Sequence, residues 1–126
     1  MEELLLKTFD FAIRIVELSN YLEEEGKRFA LMHRLLECGT EIGICMRISA
    51  RLPGYSVESF LRAYRLASEA EFMLELTVKT GVITENQSKP ILSDCRFIKE
   101  QIEDRIGKEP DKQPIRNKEE LKWENA

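Results

Sequence analysis

His33, Glu37 and Glu41 stand at i, i+4 and i+8, a spacing that puts an imidazole and two carboxylates on one helix face. Side chains of this kind ligate divalent metals. Di-iron carboxylate bundles, however, draw a Glu-x-x-His motif from each of two helices. This chain has no Glu-x-x-His and a single histidine, so a solvated polar stripe is the expectation and no metal site is assigned. Glu71 and Glu75 form a second i, i+4 carboxylate pair, suited in principle to Mg²⁺ or to acid–base work. Exposed glutamates are the simpler reading. No Gly-rich phosphate loop, Gly-x-Ser-x-Gly or Cys-x-x-Cys occurs. Cys38 has the wrong spacing to face His33 on one helix. The expectation is a protein that is not an enzyme, with no catalytic residues and no cofactor.

The three cysteines are Cys38, Cys45 and Cys95. On one helix Cys38 and Cys45 would lie roughly 10 Å apart, too far for a disulfide. They read as small buried thiols in a reducing compartment.

Arginine is the other residue type with chemistry to offer. Net charge is −4, but it is unevenly spread. Residues 1–25 carry −5, residues 26–66 carry +4, residues 67–107 carry −3, and residues 108–126 balance. Arg47 and Arg51 are one helical turn apart, and Arg62 and Arg65 follow at similar distances beyond a Leu52-Pro53-Gly54-Tyr55 turn. An antiparallel pairing of the flanking helices would gather all four near one end. Guanidinium forks suit phosphates, so Arg47, Arg51, Arg62 and Arg65 are candidates for binding RNA or DNA. The competing reading has them solvated and paired with Glu58, Glu69 or a neighbouring subunit. The chain has no basic run and is acidic as a whole, which weakens the nucleic-acid signal.

The elements that must position these groups are helices. One domain fits 126 residues, and few prolines and glycines interrupt it. Helices are expected near 3–25, 28–52, 57–80 and 85–106, folded as an all-α, antiparallel up-down four-helix bundle over residues 1–107. A polar tail over residues 108–126 is then flexible or docks through Leu121 and Trp123. Ser56 should cap the third helix and Gly81 should end it. Thr84 with Gln87 reads as a capping box for the fourth. Pro90 should kink that helix or mark its real start. Gly39 and Gly43, four apart in the second helix, are tolerated where another backbone comes close.

The first helix carries two apolar faces. Leu5, Phe9, Ala12, Ile13 and Val16 lie on one side; Leu4, Phe11, Ile15, Leu18 and Leu22 lie nearly opposite. Lys7, Asp10, Arg14, Glu17 and Tyr21 fill a narrow polar stripe between them. A bundle helix needs one apolar face for its own core. The second face, assigned to Leu4, Phe11, Ile15, Leu18 and Leu22, is expected to form an oligomer interface. No apolar run reaches the ~20 residues needed to cross a bilayer. The acidic N-terminus has no signal-peptide pattern, so no membrane role and a cytoplasmic location are expected.

Residues Thr8–Leu18, Leu35–Gly43, Glu69–Leu76 and Gly81–Thr84 together resemble a bacterial family. It comprises four-helix-bundle proteins related to those encoded by intervening sequences in large-subunit ribosomal RNA genes. The likeness covers about residues 8–106. It is carried by TFDFAIRIVEL in the first helix, LLECGTEIG in the second and EAEFMLEL in the third. Glu37, Glu41, Ile44 and Cys45 depart from the family pattern, whereas Arg47 matches it. The resemblance implies an antiparallel bundle, a homopentameric ring and no catalytic residues. Relatives of this kind include accessory proteins of diversity-generating retroelements, which bind a reverse transcriptase and nucleic acid. Two functions follow as expectations: a self-associating scaffold that engages RNA or a nucleic-acid enzyme, or a protein–protein interaction module with no nucleic-acid role.

Overall fold

A computed structural model describes residues 1–107, and the expectations for the tail, with Leu121 and Trp123, lie outside the described residues. Four helices follow one another: α1 (Glu2–Glu24), α2 (Met32–Arg51), α3 (Ser56–Lys79) and α4 (Glu85–Gly107), with a 3₁₀ turn at Pro53–Tyr55 before α3. Each packs on its chain neighbours and α1 closes on α4. Cross-links between helices give the directions. Arg34 meets Glu69 and Arg62 meets Glu41, so α2 and α3 run antiparallel. Lys99 meets Glu71 and Tyr64 meets Glu103, so α3 and α4 do too. The all-α four-helix bundle is thus the architecture of the described residues.

Local chemistry sets the helix ends. Gly26 (φ 65°) and Gly81 (φ 76°) take the left-handed conformation one residue past the caps of α1 and α3. Lys27 then donates to the Leu22 carbonyl at 2.8 Å and Val82 to the Thr77 carbonyl at 2.9 Å, closing both ends in Schellman fashion. Thr84 and Gln87 form the expected reciprocal box: Gln87 N–H donates to Thr84 Oγ1 at 3.1 Å and Thr84 N–H to Gln87 Oε1 at 2.8 Å.

Three local expectations change. Ser56 is the first residue of α3 and makes no capping bond; its hydroxyl donates to the Ser49 carbonyl at 3.4 Å, because the 3₁₀ turn leads the chain into the helix. The second helix starts at Met32 rather than near 28, since Phe29 packs on the core from the preceding turn. Pro90 does not mark the start of α4, which runs from Glu85 and holds the proline inside it. The Asn86 carbonyl deprived of a donor by the proline ring belongs to an exposed stretch, where water can serve it.

The core centres on Leu4, Phe11 and Ile15 of α1, Leu35, Ile42 and Met46 of α2, Leu74 of α3 and Ile98 and Ile102 of α4, all fully buried. Each such side chain contributes about 1.5–3 kcal/mol on burial. The small residues of α2 set how near α1 can come. A Cβ added at Gly39 would meet Ile15 Cγ1 at 3.2 Å, and one at Gly43 would lie 3.9 Å from the Thr8 carbonyl oxygen.

Candidate interaction surface

The core placement of α1 corrects the expected interface. Leu4, Phe11, Ile15, Leu18 and Leu22 are buried inside their own chain, so they cannot line a face presented to another. The reason is electrostatic as well as apolar. Lys7 Nζ lies 3.2 Å and Arg14 Nε 2.8 Å from the carboxylate of Asp94 on α4. Gln87 Nε2 donates to the Tyr21 hydroxyl at 3.1 Å, further along the same seam. Asp94 is only 10% exposed at its side chain, and a buried carboxylate needs such compensation. Lys7, Arg14 and Tyr21 of the polar stripe therefore turn to α4, while Asp10 and Glu17 stay exposed. That rotation points Leu4, Phe11 and Ile15 at the bundle centre.

The opposite stripe is left outside. Phe9 is 51% exposed, and Ile13 and Val16 are exposed beside it. Ile44 and Ile48 on α2 and Leu52 and Tyr55 at its end continue the apolar surface. Between α1 and α2 a shallow cavity of about 170 Å³ is floored by Thr8, Ala12 and Gly43 and flanked by Phe9 and Ile44. The Arg47 guanidinium lies 5.3 Å from the Phe9 ring centroid, a cation–π distance, and covers one edge of this cavity. Contiguous exposed apolar side chains with a polar rim are the mark of an interaction surface.

The four arginines do not gather. The α2–α3 register sets Arg62 beside Glu41, with Nη2 3.0 Å from Oε2. Arg62 is therefore level with Glu41 rather than with Arg47, about 9 Å away along α2. Arg65 lies a turn further on, near Glu69, whose carboxylate is already held by Arg34. Arg51 is exposed in the last turn of α2. Arg47 and Arg51 thus flank the apolar surface, while Arg62 is spent on an ion pair and Arg65 stands apart.

The metal candidates also separate. His33 is 89% exposed and 3.9 Å from Glu37, and Glu41 is turned to Arg62. No group of three or more histidine, cysteine or acidic side chains able to hold a metal occurs among the described residues. Glu71 is more than an exposed glutamate. It accepts from Arg96 Nε at 2.9 Å and Lys99 Nζ at 2.9 Å and so joins α3 to α4, while Glu75 lies 3.9 Å from Arg96. Burial pushes the Glu71 carboxyl up, but the hydrogen bonds from Lys99 and Arg96 outweigh it and leave it below its usual range.

The thiols are buried, and their surroundings disfavour the thiolate. Burial, helped by a hydrogen bond to Glu69, pushes Cys38 up to about 12, and burial does the same for Cys95. Burial also raises Cys45. Thiolate chemistry needs the opposite shift.

Sequence reasoning missed Asp94 and the Arg34–Glu69 pair. A signal for Asp94 exists: it adjoins the Ile91, Cys95, Ile98 stripe of α4, where an acid must find a cation, and Lys7 and Arg14 share one face of α1.

No helix among the described residues is long and apolar enough to cross a membrane. No model of a known protein family matches the sequence, and no curated protein matches it. A solved structure does: a protein of unknown function from the S23 ribosomal protein family of Bacteroides thetaiotaomicron. It is 30% identical, with a TM-score of 0.76, over 82% of this chain and 97% of that one. At that identity and coverage, over a shared four-helix fold, the chain belongs to the S23 ribosomal protein family.

Proposed function

We propose that this protein is a non-enzymatic scaffold that assembles with copies of itself through the outer apolar stripe of α1 and the adjoining ridge of α2. The observation that carries this reading is the exposure of Phe9, Ile13 and Val16 on one side of α1, with Phe9 and Ile44 lining one cavity between α1 and α2. These side chains are about half exposed, so covering what remains against a second copy would contribute roughly 1 kcal/mol each. A five-membered ring is what the resemblance to the intervening-sequence proteins implies, and that narrower kinship belongs to this proposal. Replacing Ile13 and Val16 by Glu tests it: the variant should sediment as a monomer with unchanged helicity. An assembly of undiminished mass would refute the assigned face.

A nucleic-acid partner is the second reading. Its support is the pair Arg47 and Arg51, one turn apart and exposed beside that surface, together with the ribosomal name of the family. An RNA, or an enzyme that works on nucleic acid such as a reverse transcriptase, would meet these two guanidinium groups first. Arg47→Glu with Arg51→Glu should abolish RNA retention in a low-salt gel shift. Binding unchanged by the double substitution, or absent from the wild type, would leave the protein–protein role alone.

A further inference from the structure

A second apolar groove lies between α2 and α3, with Ile44 as the ridge that parts it from the α1–α2 cavity. It encloses about 470 Å³, with Ile44, Ile48, Leu52 and Tyr55 as its apolar walls and the Cys45 side chain at its base. All four wall residues are exposed. On the rim, Glu41 and Arg62 neutralise each other as an ion pair, and Glu58 is exposed. α1 packs between α2 and α4, diagonally across from α3, so its outer stripe and this groove look in different directions.

We infer that the self-association proposed above, on which this rests, is head to tail: the outer stripe of α1 on one copy seats in the α2–α3 groove of the next. Charge selects this pairing over a symmetric one. Residues 1–25 carry −5, whereas residues 26–66, which hold every residue lining the groove, carry +4. Stripe against stripe would set −5 against −5, and like charges across a contact repel. Stripe against groove sets −5 against +4. The local balance agrees. Lys7 and Arg14, the two cations of α1, are turned to Asp94. Asp10 and Glu17, three and four residues either side of Ile13 and so along the same edge, are exposed without a cation of their own among the described residues. On the groove side, Arg51 is exposed next to Leu52 in the chain, with no acidic partner among the described residues. Size fits as well. Phe9, Ile13 and Val16 recur at i, i+4 and i+7, a helix ridge about 10 Å long. Ile44, Ile48 and Leu52 recur at i, i+4 and i+8 and line the groove over about 12 Å. A ridge of one helix packs into a groove of this kind. Each copy then offers its stripe and its groove to two different neighbours, and the assembly grows past a dimer.

Two variants of the full chain, mixed and followed by sedimentation velocity, test the pairing. Ile13→Glu with Val16→Glu removes the stripe and keeps the groove; Ile48→Glu with Leu52→Glu does the reverse. Each alone should sediment as a folded monomer. Their equimolar mixture should give a species of twice the monomer mass and no larger, because one intact contact forms and no second can follow. Far-UV circular dichroism checks the fold, and Tyr55→Glu, which lies outside α2, replaces the groove variant if that one loses helix. A groove variant that assembles like the wild type would overturn the head-to-tail contact and leave self-association through α1 standing. A mixture that stays monomeric, or that grows past twofold mass, would overturn it in the same way. A monomeric wild type would overturn self-association itself, and the head-to-tail contact with it.

Discussion

Arg14 and Asp94 meet at 2.8 Å across the α1–α4 seam, and with Lys7 at 3.2 Å they fix the rotation of α1 about its axis. Removing the carboxylate should loosen that seam. Asp94→Ala is expected to cost about 1–2 kcal/mol in urea unfolding, at the low end for a charge-assisted pair because both cations are partly exposed and can turn to water. An unchanged midpoint would mean that apolar packing alone orients the helix.

The two α2 glycines should respond oppositely. Gly43→Ala places its Cβ at ordinary contact distance from Thr8 and removes a helix-interior glycine, so a gain of up to about 1 kcal/mol is expected. Gly39→Val drives branched atoms into Ile15, already 3.2 Å from a bare Cβ, and should cost about 1–3 kcal/mol. Thermal melts of the pair check the sign. Equal shifts in one direction would contradict the described α1–α2 approach.

Much of this was legible from residues acting locally. Thr84 with Gln87, the positive-φ Gly81 and the Ile91–Ile102 stripe each declare a helix end or face from within a few positions of chain. The rotation of α1 was not legible, because both its stripes are apolar and the choice depends on Asp94, some eighty residues away. The scatter of the arginines was hidden for the same reason. Whether Arg62 sits level with Arg47 or with Glu41 depends on the α2–α3 register, and Arg34–Glu69 with Glu41–Arg62 sets it. The antiparallel bundle was therefore readable, and its outward face was not.

Alkaline pH should destabilise the protein through its buried thiols. Cys38 and Cys95 are raised to about 12 by burial, well above an unfolded thiol. Their raised values stabilise the fold fully below the unfolded pKa, near 8.5, and that contribution is lost as pH rises toward the folded values. Stability should therefore decline from about pH 9 upward. At pH 8 the folded protein should react with a maleimide far more slowly than in urea. Rapid labelling of Cys38 or Cys95 without denaturant would contradict their burial.

Acid should act through Glu71. Its folded carboxyl is held below the usual range by Lys99 and Arg96, so its contribution is present above the unfolded value and lost as pH falls through the folded one. Glu71→Gln should lower stability at pH 7 and shrink the loss between pH 5 and pH 3. An identical acid profile in wild type and variant would show that the bridge to α4 adds nothing.

Sedimentation velocity at micromolar concentration, on the wild type and on Phe9→Glu with Ile13→Glu, tests self-association most directly. The wild type should sediment as an assembly and the double variant as a folded monomer of the same helicity. A wild type that sediments as a monomer would contradict the account.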